Sequence, residues 1–116
     1  MKTVLVSAPE GAAVKVPLAD GFLSRLRGLM GKKLRPGDAL LLSPCARIHC
    51  CFMKSPIDAV YLGSDGSILA LAEAMPPWSF GQRVPGARRV LELFAGDAGR
   101  LGLYPGMRLT IERCKE

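Results

Sequence analysis

The stretch that decides the fold is residues 48–66, which read IHCCFMKSPIDAVYLGSDG. Two apolar, β-branched and aromatic runs in it are separated by a turn at Pro56, and such runs are typical of strands. Gly63-Ser64-Asp65-Gly66 then supplies the residues of a tight hairpin. The stretch also contains the single histidine of the chain, His49, and two of its four cysteines. It therefore predicts paired antiparallel strands around one histidine.

The same pattern of short apolar segments continues on both sides of this stretch. Strands are predicted at residues 2–7, 14–18, 39–43, 48–53, 58–62, 67–73, 88–94 and 107–111. Pro17 favours an edge position for the second strand, since proline cannot donate to a ladder. The segment 88–94 is apolar on both faces, which favours a central position. Short strands with frequent turns predict a mainly β, antiparallel sandwich or barrel.

One amphipathic segment interrupts the strands. Asp20 is a good N-cap for a short helix over residues 22–30. At about 100° per residue, the apolar side chains of this segment fall on one stripe of roughly 120°, and Arg25 lies at its edge. We expect this helix to lie across the open end of the sheet. A single further helical turn is predicted within residues 96–103.

Size and composition favour one globular domain. The chain has 116 residues, so we expect residues 1–116 to form a single domain with a real core. Hydrophobic residues make up 49% and charged residues 22%, as in soluble proteins. The longest apolar runs, such as residues 39–42, fall far short of the ~20 residues that span a bilayer. Residues 4–6 are likewise shorter than the apolar region of about 7–15 residues in a signal peptide. We expect a cytoplasmic protein without a membrane span.

The net charge is +6, from sixteen basic and ten acidic residues. Such a surplus is common on soluble surfaces, and it also suits an anionic partner such as nucleic acid, an acidic protein or a membrane surface. The basic residues are dispersed, and the sequence contains no nucleic-acid-binding motif. With 6% aromatic residues, few side chains are available to stack on single strands. Nucleic acid is therefore the weaker choice of partner.

The clustered cysteines do not predict a metal site. Zinc ligands must converge within about 2.0–2.3 Å of the ion. Successive residues of a strand rise about 3.3 Å and point to opposite faces, so only His49 and Cys51 could share an ion. Two ligands do not make a structural zinc site, and we predict no metal and no cofactor. The remaining cysteines, Cys45, Cys50 and Cys114, are expected to be reduced.

Catalysis has equally little support in the sequence. A cysteine nucleophile needs a thiolate, which a nearby histidine could generate, and His49 with Cys51 is the one such pair. No nucleophile elbow, phosphate-binding loop or nucleotide fingerprint accompanies it. We therefore name no catalytic residue and lean against an enzyme.

Two carboxylates and one arginine are candidates for a buried ion pair. Asp58 shares the strand phase of Val60 and Leu62, so it is expected to point inward, where a carboxylate needs a cationic or hydrogen-bonding partner. Arg25 could supply a bidentate guanidinium, with Glu92 as its second choice of acid. The favoured interpretation is an ion pair that fastens the helix to the sheet. The alternative is an anion-binding or catalytic pair at a pocket mouth.

The proline-rich loop of residues 76–81 is the predicted functional surface. Pro76 and Pro77 stiffen its backbone, so presenting Trp78 to a partner costs little conformational entropy. Aromatic residues in loops on a rigid scaffold are plausible recognition elements. The competing interpretation is that Trp78 folds back into the core. Met53 and Lys54, at the adjacent end of the strand that holds His49, complete this surface.

Three motifs taken together resemble domain-of-unknown-function family 192. They are Arg25 with Gly28-Leu29-Met30, Met53-Lys54 with Pro56-Ile57-Asp58, and Leu91-Glu92-Leu93 with Ala95-Gly96. The resemblance implies a small, mostly β, jelly-roll-like bacterial or archaeal protein, with a family-like core at about residues 14–112 and no established activity. His49 before Met53, together with Pro77-Trp78, is similar to a subgroup that often accompanies secretion or pilus components. The family usually carries threonine or an aromatic residue at the positions of Cys50 and Cys51.

The sequence thus leads to three hypotheses. The leading one is a non-enzymatic binding or accessory module for an unidentified protein or a small anionic ligand. The first alternative is a small enzyme or ligand-binding protein with a pocket around Arg25, His49, Asp58 and Glu92, and the second is a basic nucleic-acid-associated protein. The candidate binding residues are Arg25, His49, Met53, Lys54, Asp58, Trp78 and Glu92.

Overall fold

Seven strands and one short helix make up the described part of the chain. The computed structural model describes residues 2–21, 28–29, 31, 33–48 and 53–114. The elements are β1 (Lys2–Ser7), β2 (Ala13–Ala19), β3 (Ala39–Leu42), β4 (Ile57–Leu62), β5 (Ile68–Met75), β6 (Arg89–Phe94), α1 (Asp97–Arg100) and β7 (Thr110–Arg113). The prediction of a mainly β domain is confirmed, and α1 is the predicted single turn. The predicted helix over residues 22–30 lies outside the described residues, apart from Gly28 and Leu29. No described helix is long or apolar enough to cross a membrane.

The strands form one mixed sheet in the order β5-β4-β6-β3-β2-β1-β7. Every neighbouring pair is antiparallel except β2 and β3, which run parallel. The wholly antiparallel arrangement predicted from the sequence is therefore wrong at this pair. The connection from residue 20 to residue 38 has the length that a crossover between parallel strands requires. The central position predicted for the strand at 88–94 is confirmed, because β6 lies between β3 and β4.

The two edges of the sheet approach each other at one point without closing it. Ser67 bridges to Arg108, and the N–H of Ile68 donates to the carbonyl of Met107 at 2.7 Å. The residues just before β7 thus pair with the start of β5, while β7 itself pairs with β1. A Cβ at Gly66 would lie 2.0 Å from the carbonyl oxygen of Leu109, so only glycine allows this approach. The ladder does not continue, and the predicted sandwich, barrel or jelly roll is not confirmed.

Pro17 lies inside β2, which is not an edge strand. The pairing of β2 with β3 is limited to Leu18 with Leu41 and Ala19 with Leu42. Pro17 precedes this short pairing, so its missing N–H leaves no bond to β3 unmade. The predicted edge position of this strand is therefore wrong, because β2 lies between β1 and β3, although the printed pairing with β3 begins only after Pro17.

Each face of the sheet buries its own apolar cluster. The first face carries Leu40, Ala59, Tyr61 and Val90, against which Ile48 and Met53 pack. The second face carries Leu41, Val60, Leu91 and Leu93, covered by Ala98 of α1 and by Leu109. Since β4 and β6 are buried on both faces, they read in the sequence as apolar runs interrupted only by Asp58, Arg89 and Glu92.

Candidate binding surface

The loop of residues 76–81 carries the two most exposed large hydrophobic side chains among the described residues. Trp78 is 60% exposed and Phe80 is 66% exposed. Trp78 therefore does not fill the core of the sheet. The interpretation in which Trp78 folds back into the core required that it should. The loop follows β5 directly and presents two aromatic rings, two residues apart, to solvent.

Polar contacts fix this loop against the segment that precedes residue 49. The N–H of Gly81 donates to the carbonyl of Ile48 at 2.9 Å. Arg47 donates from Nε to the carbonyl of Gly81 at 3.0 Å, and Ser79 donates from Oγ to the carbonyl of Pro76 at 2.7 Å. A Cβ at Gly81 would lie 2.5 Å from the hydroxyl of Tyr61, so glycine lets the loop lie close to the first face. The aromatic side chains are thus exposed on an anchored backbone.

Trp78 adopts a left-handed backbone conformation, with a φ of 64°. Pro77 suits the second position of a tight turn, and Trp78 follows it. The third position of a type II turn normally takes glycine or asparagine. A non-glycine residue in the left-handed region costs about 1–2 kcal/mol. Strain at such an exposed residue is a reasonable starting point for a functional hypothesis.

Met53 and Lys54 lie in different environments. Met53 is 5% exposed and belongs to the apolar cluster of the first face. Lys54 is exposed. His49, together with Cys50 and Cys51, lies outside the described residues, as does Arg25.

Asp58 is fully buried on the second face, as its strand phase predicted. Its Oδ1 accepts from the N–H of Ala74 at 2.8 Å, and its Oδ2 accepts from the N–H groups of Gly96 and Ala98 at 2.9 and 3.0 Å. These three backbone donors satisfy the need of a buried carboxylate for partners. Asp58 therefore fastens the end of β5 and the start of α1 to β4.

A β-bulge turns one of these donors toward Asp58. Ile57 pairs with Met75 and Ala59 pairs with Ala72, so two residues of β5 oppose the single residue Asp58. Bulges of this kind redirect a backbone group out of the regular ladder. Ala74, at a φ of 52°, is the residue whose N–H leaves the ladder and reaches the carboxylate.

Glu92 is a second buried carboxylate, and it is much less well satisfied. It is 2% exposed, and it accepts a backbone hydrogen bond from Leu29. Its Oε1 has no hydrogen-bond partner among the described residues. Burial raises the pKa of Glu92 to about 7, and the hydrogen bond from Leu29 opposes this shift. A Cβ at Gly28 would lie 3.0 Å from Oε1, so Gly28 closes over the carboxyl group.

Asp58 and Glu92 lie on opposite faces of the sheet. Ala59 pairs with Glu92 and Asp58 pairs with Leu93, and directly opposite residues share a face. Glu92 thus faces the cluster around Val90, while Asp58 faces the cluster around Leu93. The two carboxylates of the predicted pocket therefore face opposite sides of the sheet, because neighbouring residues of a strand point to opposite faces, and Arg25 and His49 lie outside the described residues.

The thiols and carboxylates of the described residues do not converge. Within the described ranges, no three histidine, cysteine, aspartate or glutamate side chains are grouped as metal ligands would be. Cys114 is a free thiol, and Cys45 donates from Sγ to the carbonyl of Arg47 at 3.1 Å. The pairing of His49 with Cys51 lies outside the described residues.

Sequence reasoning missed a group of basic side chains at the other end of β6. Arg89 and Arg113 line one cavity, although they are far apart in the sequence. They lie on strands that are not neighbours in the sheet, since β3, β2 and β1 lie between β6 and β7, so only the folded structure shows that they line the same cavity.

The sequence comparisons match proteins without an assigned activity. The profile of family DUF192, described as Uncharacterized ACR, matches residues 4–111. A UPF0127 protein of Pyrococcus furiosus is 31% identical over 104 residues, which cover 86% of this chain and 89% of that protein. The family match extends over nearly all of the sheet.

Solved structures share the fold. A protein of unknown function from Novosphingobium aromaticivorans has a TM-score of 0.80 at 23% identity, and covers 93% of this chain and 83% of its own. A candidate transcription regulator from Sinorhizobium meliloti has a TM-score of 0.79 at 27% identity, with coverage of 95% and 92%. A candidate exported protein from Burkholderia pseudomallei has a TM-score of 0.58 at 14% identity, and the match covers 97% of this chain and 25% of that chain. The first and third of these likenesses concern the fold alone.

Proposed function

This chain belongs to the DUF192 family, and we propose that it is a non-enzymatic binding module that presents Trp78 and Phe80 to an apolar recess of a protein partner. The observation that carries this proposal is the exposure of Trp78 at a φ of 64°. An indole that is 60% exposed lies mostly outside the core, whereas a complementary recess in a partner would bury it.

The energetics of such an anchor favour binding. Large aromatic side chains in buried pockets commonly dominate an interface, and truncating one weakens binding by ~2 kcal/mol or more. The loop is already fixed by Pro76, Pro77 and the bonds at Gly81, so little conformational freedom is lost on association. Because Trp78 and Phe80 are already held in place, most of the free energy gained by burying their rings contributes to binding affinity.

Replacing Trp78 with glycine separates the two roles of this residue. Trp78→Gly relieves the left-handed strain and removes the ring, so we expect an unchanged or slightly higher melting temperature together with a loss of partner binding. Co-purification from the native cell, read by quantitative mass spectrometry, should show the same protein depleted with Trp78→Gly and Phe80→Ala. Binding of the identified partner should weaken by roughly 30-fold, which corresponds to ~2 kcal/mol.

Tyr104→Ala is the matched control for that experiment, because Tyr104 is an aromatic residue 57% exposed and outside the loop. It should retain the partner. Equal depletion with Tyr104→Ala would show that exposed aromatic side chains in general, rather than this loop, capture the protein. A melting temperature lowered by many degrees in Trp78→Gly would assign the indole to the core instead.

Trp78 is also its own probe, since the chain contains one tryptophan. The free protein should show the red-shifted emission and efficient acrylamide quenching of an exposed indole. Binding of the partner should shift the emission to the blue and protect the indole from quenching. Protection in the free protein would contradict the proposal.

Nucleic-acid association is the second candidate function. It is favoured by the net charge of +6 and by the likeness to the Sinorhizobium meliloti protein described as a candidate transcription regulator. Phosphate contacts would make binding fall steeply with salt concentration. Retention on immobilised DNA that disappears with rising salt, and that survives Trp78→Gly, would favour this function over the aromatic module.

We further propose that the module acts in the cytoplasm. Cys114 is a free thiol, and a reducing compartment would keep it so. Mass spectrometry of protein trapped with a thiol-alkylating reagent in the native cell should find Cys114 alkylated.

A further inference from the structure

A half-open cavity of about 300 Å³ lies at one end of the sheet on the second face. The ends of β2, β3 and β7 meet there with the starts of β1 and β6. This convergence follows from the topology, because β2 and β3 are parallel while their other neighbours are antiparallel. The aromatic loop, by contrast, follows β5 at the end of the sheet where β6 finishes. The cavity is therefore a separate feature from the proposed protein-binding surface.

The floor of the cavity is apolar and belongs to the core of the second face. It is formed by Val4, Leu18, Leu41 and Ile111. The first three are buried, and Ile111 packs against the same cluster. These side chains come from β1, β2, β3 and β7, so the floor is a rigid part of the sheet.

The rim of the cavity carries an excess of positive charge. Arg89 and Arg113 line it, Arg89 is half-buried, and neither forms a salt bridge with any residue that the structure describes. The one carboxylate at the rim, Asp20, already binds Nζ of Lys2 at 3.0 Å. That hydrogen bond is the main reason that the pKa of Asp20 is lowered, and the charge of Arg113 adds to it. Arg113 thus shares the charge of Asp20, whereas Arg89 faces the cavity without a carboxylate partner among the described residues.

We infer that this cavity binds a small organic anion, with an oxyanion head on Arg89 and Arg113 and a short apolar body on the floor. A guanidinium group presents a planar fork of donors that fits both carboxylate and phosphate. A half-buried cation has lost part of its hydration, so an anionic ligand supplies the partner that the protein lacks. The apolar floor excludes a bare inorganic ion as the best ligand, because such an ion would leave the floor hydrated.

Titration calorimetry with hexanoate, hexyl phosphate and 1-hexanol tests this inference. Hexanoate or hexyl phosphate should bind, and the tighter of the two identifies the preferred head. Hexanol, which has the body without the charge, should bind at least about 10-fold more weakly, because one hydrogen bond to a charged group is worth that factor or more. Equal binding of hexanol, or no binding of either anion at millimolar concentration, would overturn the inference.

Arg89→Gln and its neighbour Arg88→Gln make a matched pair of variants. Both remove one positive charge, but Arg88 does not line the cavity. Arg89→Gln should weaken anion binding by about 10–100-fold, and Arg88→Gln should change it less than about 2-fold. Arg113→Gln, at the exposed rim, should weaken binding by an intermediate factor. Equal losses in Arg88→Gln and Arg89→Gln would reduce the effect to net charge and contradict a defined site.

Discussion

Asp58→Ala should destabilise the protein more than any other single substitution considered in this chain, by about 4–5 kcal/mol. Each hydrogen bond to a charged group contributes about 1.5–3 kcal/mol, and the removal of the carboxylate leaves three backbone donors behind. The N–H of Ala98 is buried, and those of Ala74 and Gly96 are partly buried, so water replaces the lost acceptor incompletely. Denaturant unfolding should report this loss, and the melting temperature should fall by roughly 15 °C.

Asp58→Asn and Asp65→Ala are the controls for that measurement. Asparagine keeps the shape but offers one acceptor oxygen in place of two, so Asp58→Asn should lose less stability than Asp58→Ala. Asp65 also accepts a backbone hydrogen bond, from Ser67 at 3.0 Å, but at an exposed hairpin. Asp65→Ala should leave the melting temperature nearly unchanged. If Asp58→Ala were equally harmless, the three bonds would not fasten the strand ends together.

The residues that carry the family resemblance meet one another in the structure. Asp58 accepts a hydrogen bond from Gly96, and Glu92 accepts one from Leu29, with Gly28 close to its carboxyl group. Each contact joins two of the three motifs that are far apart in the sequence. In the described residues, the family motifs therefore hold distant parts of the fold together. This explains why recognising the family predicted the shape and left the activity open.

The sequence correctly predicted features that depend only on nearby residues, namely the direction of Asp58 and the exposure of Trp78. The alternation of Asp58 with Val60 and Leu62 predicted its inward direction, and Pro76 and Pro77 predicted an exposed Trp78. The donors to Asp58 lie 16, 38 and 40 residues away, so nothing near it in the sequence could name them. The parallel pairing of β2 with β3 was missed for the same reason, since strand periodicity is identical for parallel and antiparallel neighbours.

Trp78 and Arg89 show two further limits of the sequence. Tryptophan has no tendency toward the left-handed region, so its φ of 64° contradicts local propensity and could not be predicted from it. Arg89 reads as a surface charge at the start of a strand, and its role depends on Arg113 from the far end of the sheet. Both features arise where tertiary structure overrides local preference, which is where functional sites are expected.

Glu92 should make the protein less stable as the pH rises from 5 to 8. Burial raises the pKa of the folded state to about 7, from an ordinary value of 4.5. Between these values the unfolded chain releases the proton while the folded protein keeps it, so the free energy of unfolding falls with pH and becomes level above about 7. The Glu92 carboxyl group makes its full contribution to the free energy of unfolding below pH 4.5. Roughly 2–3 kcal/mol of that contribution should be lost between pH 5 and 8.

Glu92→Gln isolates this effect, because the amide has nearly the same shape and does not titrate. Its carbonyl oxygen can still accept from Leu29, and the buried negative charge at pH 8 is gone. The variant should therefore be more stable than the unmodified protein at pH 8, and this advantage should shrink toward pH 5. Glu112→Gln removes an exposed carboxylate from β7 and should retain the original pH dependence. Parallel stability curves for Glu92→Gln and the unmodified protein, from denaturant unfolding at pH 5 to 8, would show that Glu92 titrates as an ordinary surface acid.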